Sequence, residues 1–143
     1  MENQLENIQK NRELILRDIK KAHKNSIFVK TNLTKLVAVS KKQLEYKILQ
    51  AIESGQKVYG ENRVQEAQKR WKKILETHKD IELRLIGQLQ TNKVKQALKL
   101  FNIIETIDRE NLTKEIAKNF GHETTTKSFY IQVNTGSETQ KSG

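Results

Sequence analysis

Short apolar runs that stop abruptly, each followed by a stretch with helical spacing, constrain this chain more than any other feature of its sequence. The clearest run is Leu36-Val37-Ala38-Val39, ended by Ser40-Lys41-Lys42. A run this short and rich in β-branched residues reads as a buried parallel strand, not a helix segment. The spacing predicts a strand over Lys35 to Ser40. A helix follows over Gln43 to Ser54, with Leu44, Ile48, Ala51 and Ile52 inward and Gly55 as its cap. Lys57 to Tyr59 is a second strand, and Arg63 to Thr77 a helix with Val64, Ala67, Trp71, Ile74 and Leu75 on its apolar face. Ile81 to Ile86 is a third strand, with a helix over Asn92 to Leu100. Ile103 to Ile107 is a fourth, with a helix over Asn111 to Phe120. Ser128 to Val133 is a fifth strand, and Asn134 to Gly143 a polar tail. Ahead of them all, Glu2 to about Lys24 is a helix with Leu5, Ile8, Ile15, Ile19 and Ala22 on one stripe. A connection, Ile27 to Asn32, joins it to the first strand.

Repeated βα units imply an α/β fold with a parallel sheet and right-handed crossovers. Such a sheet stays open and doubly wound, or closes into a (β/α)8 barrel. A complete barrel takes eight strands and usually ~250 residues, more than the 143 of this chain.

In either closure, ligands sit at the C-terminal ends of the strands. The residues there are Ser40-Lys41, Gly60-Glu61-Asn62, Gly87-Gln88, Asp108-Arg109 and Asn134-Thr135. They supply an amine, amides, carboxylates and hydroxyls. His23, His78 and His122 all fall elsewhere, at helix ends or in loops, and there is no cysteine. That set disfavours transition-metal ligation, a Ser-His-Asp arrangement and thiolate chemistry. A lysine at the end of a buried strand suits imine chemistry, because partial burial leaves some neutral amine to attack a carbonyl. Lys41 is that lysine. No glycine-rich phosphate loop of the GxGxxG or GxxxxGK[ST] type is present.

The formal net charge is +10, from 27 basic and 17 acidic residues. Most of the basic residues are lysines spread along the chain, whereas arginine supplies most base-edge recognition. A solvated lysine-rich surface is expected, and no nucleic-acid partner. No stretch approaches the ~20 apolar residues of a membrane span, and the N-terminus lacks the apolar core of a signal peptide. No membrane association and a cytoplasmic location are therefore expected.

Five blocks in order carry a family resemblance. They are Leu36-Val37-Ala38-Val39-Ser40-Lys41, Tyr59-Gly60-Glu61-Asn62-Arg63-Val64-Gln65-Glu66, the segment from Leu85 to Lys93, Thr106-Ile107-Asp108-Arg109, and Gln132-Val133-Asn134 with Lys141-Ser142-Gly143. Together they resemble the pyridoxal phosphate homeostasis protein family. The resemblance implies an alanine-racemase-like TIM (β/α)8 barrel, of which residues 1–143 would form about the first five β/α units as a single partial domain. It implies pyridoxal 5′-phosphate (PLP) held as a Schiff base on Lys41, with Asn62 lining the cofactor site and Lys141 a secondary lysine near it. It implies a non-catalytic role in keeping vitamin B6 and amino- and keto-acid pools in balance. A racemase-like PLP enzyme and a non-functional fragment of a split gene are the alternatives.

The chain departs from the family at Arg84, where histidine is usual, and at Lys42-Gln43 after the PLP lysine. It also ends at Gly143, ahead of the last three βα units and the phosphate-binding portion of the family. A separately encoded C-terminal half, or self-association, would then complete the barrel.

Overall fold

The computed structural model describes residues 2–27 and 34–143. The elements are α1 (Glu2–Asn25), β1 (Ala38–Val39), α2 (Glu45–Glu53), β2 (Val58–Glu61), α3 (Val64–Thr77), β3 (Glu82–Leu85), α4 (Val94–Leu100), β4 (Ile103–Ile107), α5 (Glu110–Asn119) and β5 (Ser128–Ile131). A single 3-10 turn, Thr91–Lys93, leads into α4. The expected connection from Ile27 to Asn32 lies, apart from Ile27, outside the described residues.

All neighbouring strands pair in parallel, in the order β1-β2-β3-β4-β5. A doubly wound sheet reverses its strand order at a switch point. Among the described residues there is no reversal, so each βα unit lies beside its predecessor.

The pleat decides which side chains meet the helices. Tyr59, Leu83, Leu85 and Ile104 are buried in one cluster with Ile48 and Ile52 of α2, Trp71 of α3, Leu98 of α4, and Leu112 and Ile116 of α5. Full burial of each large apolar side chain contributes roughly 1.5–3 kcal/mol. The alternate positions, Gly60, Glu82, Arg84 and Glu105, fall on the opposite face. There the Arg84 guanidinium sits between two carboxylates, with Nε donating to Glu82 at 2.7 Å and Nη1 to Glu105 at 2.9 Å. Burial acts to lower the pKa of Arg84, but the two carboxylates outweigh it and hold the guanidinium charged. Arg84, a departure from the family in sequence, is thus the centre of an ionic cluster on the sheet face away from the helices.

Some boundaries differ from expectation. The regular part of β1 shrinks to two residues, although Ser40 N still donates to Gly60 O at 3.1 Å. Lys42 has a left-handed backbone, φ 59°, and α2 begins only after Leu44, with no side-chain cap. β2 extends past Tyr59 through Gly60 and Glu61, which brings Glu61 into the sheet.

The stripe of α1 is only partly covered. Ile15 and Ala22 are exposed, while Leu5, Ile8 and Ile19 are half-buried. Polar bonds do much of the docking instead. Arg12 donates to Ser54 O at 3.0 Å, Gly55 O at 2.8 Å and Gln56 Oε1 at 3.1 Å. A guanidinium satisfies carbonyls that the end of α2 leaves without intrahelical donors, where the helix dipole favours positive charge.

Candidate functional site at the strand ends

The segments after the five strands form one hydrogen-bonded row. Ser40, at the end of β1, donates from Oγ to Glu61 Oε1 of β2 at 2.6 Å. Ile86 N, at the end of β3, donates to Glu61 O at 2.9 Å. Gln88 Nε2 donates to Asp108 Oδ2, after β4, at 3.2 Å. Asp108 also accepts from Ser142 in the C-terminal segment, and Gln132 Nε2 donates to Ser142 O at 2.7 Å. The expected polar tail is therefore a folded return, held by Asn134 Nδ2 to Glu138 O at 2.9 Å and by Glu138 N to Asn134 Oδ1 at 3.1 Å.

Lys41 stands at the head of this row. It is exposed, between the buried Ser40 and the left-handed Lys42. Ser40 O accepts from Gln43 N at 3.1 Å, closing a turn around Lys41. Asn62 is half-buried and follows Glu61 directly. It lines a cavity of about 520 Å³ with Arg63, Gly87, Gln88, Gln90 and Lys93. Lys41 is not among the residues lining it. Lys141, exposed, is paired with Glu138 Oε1 at 2.5 Å. A larger cleft of about 680 Å³ opens at the other end of the sheet, where Ile81, Asn102 and Lys127 lead into the strands. Its position at the N-terminal ends of the strands separates it from the row containing Lys41.

Gly87 is placed where no side chain fits. A Cβ there would lie 2.2 Å from Asn62 O and 2.7 Å from Asn62 Cα, so backbone, not a flexible side-chain tip, would have to move. Gly87→Ala is expected to displace the Asn62 segment and to cost about 1–3 kcal/mol of stability. Urea unfolding checks it, and an unchanged midpoint would contradict the close approach.

Asp108 is half-buried as a residue, with its side chain about 1% exposed. Burial acts to raise its pKa, but hydrogen bonds from Ser142, Gln88 and Arg109 prevail and hold it below the usual carboxylate value. Arg109 donates from Nη1 to Asp108 at 2.6 Å and from Nη2 to Leu89 O at 2.7 Å. Asp108 is therefore an anionic tie between strand ends. Among the described residues, no group of three or more His, Cys, Asp or Glu is placed to hold a metal ion. No described helix is long and apolar enough to cross a membrane.

Sequence reasoning placed Glu61 merely after a strand. In the structure it is fully buried, and its Oε1 accepts from Ser40 Oγ, from Arg70 Nη1 at 2.7 Å and from Trp71 Nε1 at 3.0 Å. Two signals point to it. Glu61 shares parity with the core residue Tyr59, and Trp71 carries an indole N–H that needs an acceptor once buried.

The fold and the row together define an α/β protein with a parallel sheet and an exposed lysine at the strand ends. No family model matches the chain. It is 39% identical over 112 residues to the pyridoxal phosphate homeostasis protein of Aquifex aeolicus, covering 78% of this chain and 48% of that one. The protein of that name from Vibrio cholerae is 33% identical over 141 residues, covering 97% and 59% respectively. Among solved structures, PipY of Synechococcus elongatus with PLP bound superposes with a TM-score of 0.59 at 30% identity, over 73% of this chain and 47% of PipY. An unknown protein from Bifidobacterium adolescentis reaches a TM-score of 0.73 at 25% identity, over 82% and 51%. The chain is a relative of the pyridoxal phosphate homeostasis proteins. It spans about half the length of the curated relatives it matches.

Proposed function

We propose that this chain contributes to PLP homeostasis by carrying PLP as a Schiff base on Lys41, with Asn62 beside the cofactor, as a carrier and not a catalyst. The observation that supports this best is the exposed Lys41 at the head of the strand-end row, next to the segment bearing Asn62. The cavity beside Asn62 offers an amide and the cations Arg63 and Lys93 to an anionic group, and Lys41 lies outside its lining. PLP supplies an electrophilic carbonyl and a phosphate handle. Lys41 would hold that carbonyl through its side-chain amine, whose two N–H protons would depart with the carbonyl oxygen as water. Asn62 offers an amide for a polar edge. The relatives' name, and the PLP bound to PipY, support the same reading.

The unreversed strand order is that of a (β/α)8 barrel wall, and we take residues 1–143 as a single partial barrel domain of a cytoplasmic protein. The test is to incubate the chain with PLP, reduce with borohydride and map the product by mass spectrometry. A pyridoxyl group on Lys41 is expected. A folded preparation with no adduct there overturns the reading.

A further inference from the structure

We infer that Glu61, on the helix side of the sheet and outside any cofactor cavity, is the positioning residue for Lys41, acting through the hydroxyl of Ser40. The inference rests on the proposed role of Lys41.

The geometry is that of a buried hub. Glu61 is 0% exposed, and one of its oxygens takes donors from three places. Arg70 and Trp71 bind it from α3, at 2.7 and 3.0 Å. Ser40 binds it from the end of β1 at 2.6 Å. Trp71 Nε1 also reaches Ser40 Oγ, at 3.3 Å, so serine and carboxylate share the indole. The other oxygen, Oε2, has no hydrogen-bond partner among the described residues. A buried carboxylate held by one oxygen is costly, and packing alone does not call for it.

Its consequence falls on the turn carrying Lys41. Ser40 is the last residue before that lysine. Its amide is fixed to Gly60 O, and its carbonyl to Gln43 N, at 3.1 Å each. The bond to Glu61 fixes its side chain as well. The residue after Lys41 holds a left-handed backbone that non-glycine residues rarely adopt, so the turn needs restraint from one side. Glu61 also precedes Asn62, and its carbonyl accepts Ile86 N. One residue thereby ties together the backbones that carry Lys41 and Asn62. Orientation of this kind matters because a small misplacement of a reacting amine costs large factors in rate.

The hub and its link to Lys41 can be separated. Ser40→Ala removes the link and leaves Glu61, Arg70 and Trp71 in place, so the fold should persist by circular dichroism and thermal midpoint. Two readouts are followed in the full chain: the rate of PLP imine formation, and hydrogen exchange of the peptide spanning Ser40 to Gln43. Ser40→Ala is expected to slow imine formation about tenfold and to speed exchange at Gln43, and Ser40→Thr to restore both. A Ser40→Ala chain with wild-type rate and exchange overturns the inference. If exchange rises while the imine rate holds, the hub shapes the turn without positioning the amine, and the inference also fails. If the wild-type chain takes no PLP on Lys41, the proposed function fails. Unchanged exchange at Gln43 would then separately reject the hub's hold on the turn.

Discussion

Lys41→Ala is expected to reduce the borohydride-fixed pyridoxyl adduct to background, although every other lysine of the chain remains. The argument is one of position, not composition. Basic residues number 27 in 143, and most are solvated side chains on helix faces. An aldehyde reacts transiently with any of them, but a retained adduct needs an amine held at a site that also binds the rest of the molecule. Lys41 is the lysine at the strand ends flanked by a pinned residue and a left-handed turn. The measurement is the pyridoxyl-peptide yield per lysine, compared between the wild-type and Lys41→Ala chains. Equal yields spread over surface lysines in both would show that the labelling is nonspecific. Lys141→Ala is expected to leave the Lys41 adduct intact, because Lys141 is committed to Glu138.

The second large effect concerns stability. Arg70→Ala should lower the unfolding free energy by about 3–5 kcal/mol, because it strands the Glu61 carboxylate without its counter-charge. Arg70 itself is only about 16% exposed, against 0% for Glu61, so water cannot take over. Adding Glu61→Gln to that variant removes the buried charge and should recover part of the loss. The amide keeps an oxygen for Ser40 and Trp71. Urea unfolding of both singles and the double measures the coupling. A loss below about 1 kcal/mol for Arg70→Ala would put the pair in the class of weak surface bridges.

These two residues illustrate what a sequence does and does not disclose. Lys41 was legible because a β-branched run ends directly before it, and strand polarity then assigns its end of the sheet. The element order was legible for the same reason, since periods of two and of about 3.6 do not mimic one another. Glu61 was not legible. A charged residue at the end of a short strand is ordinarily solvated, and only its parity with Tyr59 and the unmet N–H of Trp71 betray burial. Arg84 stood out as a substitution, but its partners Glu82 and Glu105 come from its own strand and the next, so the cluster appears only once β3 and β4 are in register. The α1 stripe was readable as a face, yet spacing says nothing about whether a neighbour covers it. The start of α2 falls later than its spacing predicts because a turn with left-handed Lys42 intervenes, and lysine does not advertise that conformation as glycine would.

The unreversed strand order bears on how the chain is made. Each later strand pairs with the one emerging just before it, as Gly60 of β2 does with Val39 of β1 and Ser128 of β5 with Ile103 of β4. Among the described residues every pairing joins strands consecutive in the chain, so these pairings are local for a parallel sheet. As the polypeptide leaves the ribosome, every new βα unit meets an edge that already exists. The sheet can therefore grow in the direction of synthesis, with β1 and the turn at Lys41 laid down ahead of the other four described strands.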